Sequence, residues 1–224
     1  MRFSNAMTVL GLVAAFAAAG YSSTAMAAPI TAPSSSVETL KTFDGDYGVT
    51  QDSGFSLPAI PIQKVKPEFR RQIISYQTTE SPGTIIVNTR ERHLYYILPD
   101  GQAMRYGISV GKAGFAWSGN AYVAWKQEWP NWHPPKEMAE RRPEIAKFVE
   151  GGMNPGLENP LGARAMYLYN DKGQDTLFRL HGTPEWASIG TAASSGCIRL
   201  INQDVIDLYS RVLPGHTTKV VVIQ

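Results

Sequence analysis

The sequence predicts a mainly β domain with an antiparallel or mixed sheet, and three observations carry the prediction. Between Gly83 and Trp129 short apolar runs follow one another through tight turns, with no helical periodicity between them. After a charged interruption the pattern of short strands resumes and ends on Lys219-Val220-Val221-Val222-Ile223. An extended amphipathic helix is signalled at one place, after Asn202.

Taken in order, the chain opens with Arg2 and an apolar run from Val9 to Ala19, followed by Ala25-Met26-Ala27, the small-residue pattern at which a secretory signal is cut. Residues 1–27 are therefore expected to be a signal peptide, since the run falls short of the ~20 apolar residues that a spanning helix needs. Residues 28–58 are Pro, Ser, Thr, Gly and Asp with scattered single hydrophobes. Such a composition buries too little apolar surface to offset chain entropy, so a flexible linker is expected. In 59–82, Ile60, Ile62, Val65, Phe69, Ile73, Ile74 and Tyr76 predict an N-terminal arm packed on the domain, with a short helix from Pro67. Residues 83–224 form the domain proper.

Within it, Thr84–Asn88 and His93–Leu98 are strands, and Pro99-Asp100-Gly101 turns the second into Met104–Val110. Ala121–Trp129 alternates as a further strand. Lys136–Glu150 is charged and predicts short helices broken near Pro143, an inserted segment of the kind that covers a site. Trp117, Trp125, Trp129 and Trp132 either line a groove or serve as ordinary core and surface aromatics. Ala165–Tyr169 and Leu177–Leu180 are the next strands, the latter delivering His181 at its end, and Ile198–Ile201 is another. Asn202 is placed as the N-cap of a helix with Val205, Ile206, Tyr209, Val212 and Leu213 on one face, stopped by Pro214-Gly215.

The charge balance, 21 basic against 19 acidic residues, offers no electrostatic argument for nucleic acid. The single cysteine, Cys197, has no internal disulfide partner. Exported proteins meet oxidising conditions, where thiols are normally paired. A buried, inert thiol is the bland reading of Cys197; a lone cysteine retained for export favours a nucleophile, and His181 is the candidate base. Other chemistries fit worse. His93, His133, His181 and His216 are scattered with no HExxH and no second cysteine, so no metal site is expected. Gly111-Lys112-Ala113-Gly114 lacks P-loop spacing, and no Gly-x-Ser-x-Gly elbow occurs. Ser109-Val110-Gly111-Lys112 matches Ser-x-x-Lys, but it ends a strand at a glycine, where a helical turn is needed to place both side chains on one face.

His181-Gly182-Thr183 followed by Ser194-Ser195-Gly196-Cys197-Ile198-Arg199-Leu200 resembles the signature of the L,D-transpeptidase catalytic domain, or YkuD, family. The resemblance extends through Gly83–Val87, Leu94-Tyr95-Tyr96, Tyr106–Gly111 and Asn159-Pro160-Leu161-Gly162 before Ala165–Leu168, covering about Gly83 to Gln224. It implies a β-sandwich with a mixed sheet, one helix in the C-terminal region and a short helical insertion. It implies peptidoglycan cross-linking without a cofactor, in the periplasm and open to carbapenem acylation. Cys197 would attack a tetrapeptide stem at its third residue, and His181 would act as general base and acid. Gly196 and Cys197 N–H groups would form an oxyanion hole; Ser194, Ser195, Gly182 and Thr183 would contact substrate, and Arg199 would either hold a substrate carboxylate in a bidentate pair or make a structural ion pair. The acceptor would be a second stem or an outer-membrane protein amine; with water as acceptor the same site would be a carboxypeptidase. A non-catalytic wall-binding module is the third reading. Many family members carry histidine before the Gly-Cys pair, where this chain has Ser195, which cannot titrate near neutral pH.

Overall fold

The computed structural model describes residues 37–111, 117–192 and 197–224. Thirteen strands and three α-helices follow one another among these residues. The strands are β1 (Thr39–Thr42), β2 (Thr50–Asp52), β3 (Phe55–Leu57), β4 (Gln72–Ser75), β5 (Ile85–Asn88), β6 (His93–Leu98), β7 (Gln102–Gly107), β8 (Ser109–Val110), β9 (Gly119–Glu128), β10 (Arg164–Tyr169), β11 (Asp175–Thr183), β12 (Ile198–Ile201) and β13 (Lys219–Ile223). Helices α1 (Lys136–Arg141) and α2 (Phe148–Gly151) lie in the insertion, broken by a 3-10 turn at Pro143–Ile145, and α3 (Asn202–Arg211) follows β12 directly. The fold is mainly β with a mixed sheet, as the sequence predicts.

Eleven strands form one ladder in the order β1-β4-β7-β6-β5-β13-β9-β10-β11-β12-β8, and β2-β3 stand apart as a hairpin. β11 with β12 and β13 with β5 are parallel; the other pairs are antiparallel. Only Ile108 separates β7 from β8, so the last strand of the ladder is the continuation of its third, and the sheet curls back on itself around one core. The hairpin turn at Asp100-Gly101 has both φ angles positive, 59° and 68°, the geometry whose twist matches the flanking strands.

The core is drawn from alternate positions: Ile85, Val87, Leu94, Tyr106, Val123, Met166 and Leu180 are buried together with Ile198 and Leu200. Helix α3 closes it through Val205 and Leu208. Lys126 Nζ donates to the Tyr209 and Val212 carbonyls at 2.8 and 2.7 Å, satisfying the open C-terminal end of α3. Asn202 is not the expected N-cap: the helix begins at this residue, and its Oδ1 accepts from the Ala163 N–H at 2.9 Å. Leu213 lies beyond the helix and is exposed, because α3 ends at Arg211; Leu208 takes the core position instead.

The N-terminal expectations need correction. The expected signal peptide, residues 1–27, and 28–36 of the expected linker lie outside the described residues. From residue 37 the chain is regular structure rather than a flexible linker. Tyr47 and Leu57 are both 2% exposed, Phe55 stacks on Trp129 at 3.9 Å, and Asp52 makes a two-point contact with Arg164 at 2.6 and 2.7 Å. Isolated hydrophobes cannot build a core of their own, but each here enters a prepared place on the domain. The segment 59–82, expected as an arm packed on the domain, supplies β4, an inner strand of the ladder between β1 and β7.

Candidate active site

Parallel pairing of β11 and β12 builds the site. Leu180 faces Ile198, His181 faces Arg199 and Gly182 faces Leu200. Even-numbered β11 positions turn toward α3: a Cβ at Gly182 would lie 2.2 Å from Asn202 Oδ1 and 3.0 Å from Val205, so only glycine fits there. Odd-numbered side chains, Arg179, His181 and Thr183, take the opposite face. One register step back from Ile198 puts Cys197 opposite Arg179, on the face that also carries His181 and Arg199. With strands ~4.8 Å apart and a two-residue offset, the Cα atoms of Cys197 and His181 are separated by roughly 8 Å, within reach of facing side chains. β8 holds the other side of β12, pairing Val110 with Ile198 and Ser109 with Arg199. His181 lies inside β11, not at its end, because the strand runs on to Thr183 before the chain turns.

His181 is buried, and its Nδ1 lies 2.6 Å from the Gly182 carbonyl oxygen. A carbonyl only accepts, so Nδ1 carries the proton and Nε2 presents a lone pair. Burial, with Arg199 and Arg179 nearby, lowers the imidazole pKa to about 4 against the pull of the Gly182 carbonyl. Cys197 is half-buried. Burial pushes its thiol up, opposed by the Arg179 backbone N–H and by the charges of Arg179 and Arg199. Both groups are therefore neutral at pH 7, an uncharged thiol beside an uncharged base.

Arg199 Nη1 is 2.9 Å from Glu185 Oε2, an ion pair whose carboxylate is 68% exposed and open to exchange. Thr183 is buried, and its hydroxyl accepts the Glu185 N–H at 3.1 Å, shaping the turn that leaves β11. Ser194, Ser195 and Gly196, and with them the expected oxyanion donor at Gly196, lie outside the described residues. Ser109 is buried in β8, 3.4 Å from the Ser188 hydroxyl.

Sequence reasoning missed Arg179 and Glu185 as contributors and quoted Asn159 only within a motif, without its role. Arg179 follows from strand alternation, two residues before His181. Glu185 is reached only through the ion pair with Arg199. Asn159, fully buried, donates Nδ2 to the Pro130, Met153 and Asn154 carbonyls and accepts from the Leu161 N–H, so it fixes the loop preceding β10. The tryptophans do not share one contact: Trp117 stacks on Phe178, Trp125 on Tyr167 and Trp129 on Phe55, while Trp132 tilts against Phe148.

The L,D-transpeptidase catalytic domain model, YkuD, matches residues 82–223. An Escherichia coli (strain K12) protein described as "Probable L,D-transpeptidase ErfK/SrfK" is 32% identical over 204 residues, 86% of this chain and 62% of that protein. "Probable L,D-transpeptidase YcfS" of the same strain is 31% identical over 170 residues, 74% of this chain and 49% of that protein. The chain thus spans between about half and 62% of the length of these relatives. A Brucella melitensis crystal structure described as a "Probable carnitine operon oxidoreductase caia" is 45% identical, covering 69% of this chain and 95% of that one with a TM-score of 0.49, an overlay too loose to carry an argument. With its Cys197 and His181 motifs on adjoining strands and the domain model matched over most of its length, the chain belongs to the L,D-transpeptidase catalytic domain family.

Proposed function

We propose that this protein is a peptidoglycan L,D-transpeptidase working through a Cys197 thioester. The observation that carries the reading is the His181 ring, whose Nδ1–H is committed to the Gly182 carbonyl, leaving Nε2 as an acceptor on the face that bears Cys197. In the first step Sγ attacks the carbonyl of the third stem residue while its proton passes to Nε2. The tetrahedral intermediate collapses, the bond to the terminal D-alanine breaks, and His181 returns the proton to the departing amine. In the second step an acceptor amine attacks the thioester, loses a proton to Nε2, and the sulfur leaves as the thiol. One imidazole serves both half-reactions, which suits a chain with Ser195 in place of a second histidine. Gly196 and Cys197 N–H groups are the proposed oxyanion donors, and Arg199, released from exposed Glu185, is the proposed carboxylate contact.

The 1–27 signal pattern supports a periplasmic location, and among the described residues no helix is long and apolar enough to cross a membrane. The acceptor is proposed to be a second stem, with an outer-membrane protein amine as the other candidate. Mass analysis of products from purified protein and tetrapeptide stems tests the reading. A dimer joined residue three to residue three supports it; free tripeptide alone replaces it with hydrolysis. Cys197→Ala is expected to fold and to form neither thioester nor dimer, and His181→Gln to lower turnover by about 10²- to 10⁴-fold. A carbapenem adduct found on Ser109 rather than Cys197 would overturn the assignment of the nucleophile.

A further inference from the structure

Phe69 sits between two glycines. The 3-10 turn that carries it, Pro67–Phe69, starts on a proline and is pinned twice: His93 Nε2 lies 2.9 Å from the Glu68 carbonyl oxygen, and Gln72 Nε2 donates to the Pro67 carbonyl at 2.9 Å. On one side Phe69 presses on β7, where a Cβ at Gly107 would lie 2.6 Å from the Phe69 Cβ. On the other its ring presses on Gly190, where a Cβ would lie 2.7 Å from Cδ2 and 2.9 Å from Cζ. Gly190 belongs to the connection from β11 to β12, and this part of it is tied to the β7–β8 junction. The Gly190 N–H donates to the Ile108 carbonyl at 3.0 Å, and the Thr191 carbonyl accepts from the Val110 N–H at 3.3 Å. Val110 also pairs with Ile198, the residue after Cys197. One residue thus holds both Thr191 and the start of β12. Ile189 and Ile201 share a buried cluster with Tyr47, Ile62 and Val65, and Phe69 and Trp186 pack against it. Tyr47, Ile62, Val65 and Phe69 all precede the matched family domain, residues 82–223.

We propose that Phe69, outside the family domain, is a positioning residue for the nucleophile: its ring, wedged against Gly190, holds the 186–191 turn on Ile108 and Val110, and through Val110 it fixes the start of β12 beside Cys197. This rests on Cys197 being the nucleophile. β8 is only two residues long, Ser109–Val110, and stands at the end of the ladder. Two backbone hydrogen bonds to so short a strand resist opening weakly, and the buried ring supplies the rest. The same turn begins at Glu185, which pairs with Arg199 at 2.9 Å, so a turn lifted off β8 also moves the carboxylate that faces the site. Acyl transfer needs the sulfur placed to within a fraction of an ångström, and a displaced strand start is felt in turnover before it is felt in folding.

The test compares the wild type with Phe69→Ala, Phe69→Leu and Ile86→Ala, the last a truncation of a fully buried side chain on β5 that serves as the control for lost packing. Two rates are read well below every variant's Tm: alkylation of Cys197 by iodoacetamide, followed by intact mass, and turnover of tetrapeptide stems. Phe69→Ala is expected to speed alkylation about three- to thirtyfold, because the turn opens more often and uncovers the half-buried sulfur. Its kcat is expected to fall about tenfold or more with KM little changed. Phe69→Leu should lie between Phe69→Ala and the wild type in both, and Ile86→Ala should match the wild type in alkylation. Alkylation unchanged in Phe69→Ala, or raised equally in Ile86→Ala, overturns the proposal, since a role confined to packing does not single out the thiol. If Phe69→Ala does not fold, alkylation in Phe69→Leu indistinguishable from the wild type overturns it equally. Alkylation needs no stem peptide, so a rise specific to the Phe69 variants in a protein that cross-links nothing would support the placement by Phe69 while removing the proposed transpeptidation.

Discussion

Replacing Arg71 by methionine removes a guanidinium that reaches three carboxylates: Asp46 at 2.6 Å, Asp207 at 3.2 Å and Asp204 at 3.8 Å. Asp204 is completely buried on the first turn of α3, and its other oxygen accepts from the Tyr47 hydroxyl at 3.1 Å. Burial already raises this carboxyl to about 7, with Arg71 opposing the rise. Without the cation, a buried carboxyl stands beside Asp207 with one hydrogen bond and must either stay ionised or take up a proton, so breaking such a pair costs at most about 3–5 kcal/mol. That is a large share of a total stability of about 5–15 kcal/mol. For a domain of this size it corresponds to a fall of roughly 6–20 °C in Tm. Urea and thermal unfolding at pH 7 measure it, with an unchanged urea slope showing that the native state is intact. The loss should shrink at pH 5, where Asp204 takes up its proton, and Arg71→Met with Asp204→Asn should recover most of the stability. A single-variant loss below about 1 kcal/mol, or a double variant no better than the single, would refute the reasoning.

His93 and His181 are both buried with pKa values lowered to about 4, His93 by burial and Arg105. In the unfolded chain each returns to about 6.5, so the unfolded state binds more protons between those values. Their contribution is complete above about pH 6.5 and is lost as pH falls toward 4, on the order of 3 kcal/mol each. Asp204 acts in the opposite direction, so the comparison is between wild type and His181→Gln. The variant should lose less stability between pH 6.5 and 5, and equal losses would refute the assignment of a buried neutral His181. Asn159→Ala strands three carbonyls and one N–H and should cost about 2–4 kcal/mol, read by urea unfolding; a loss within 0.5 kcal/mol would place those carbonyls in contact with water.

Legibility followed the range of the interactions. The strands from Ile85 to Gly107 and the last strand were readable because alternation, β-branched residues and the Asp100-Gly101 turn are local signals. The segment 37–58 was misread because Tyr47, Phe55 and Leu57 are isolated in a polar sequence, and their burial depends on surfaces contributed by residues more than seventy positions away. Asn202 was placed as a cap because asparagine favours caps; Ala163, brought beside it by the β10–β11 pairing, claims its side chain instead. The tryptophans were ambiguous for the same reason, since an aromatic side chain is used by whichever ring the sheet register sets beside it.

The sequence by itself determined the class of fold, the order of the domain's strands and the motif pair of Cys197 and His181, because these rest on local periodicity and on residue types with few alternative uses. The tertiary structure decided the state of that pair. Parallel registration of β11 with β12 puts sulfur and imidazole on one face, burial keeps both neutral, and the Gly182 carbonyl selects the tautomer. It also decided that Arg71, Tyr47 and Asp52 anchor the N-terminal segment to α3 and β10. Charge, burial and hydrogen-bond direction are properties of neighbours in space, and a linear pattern does not contain them.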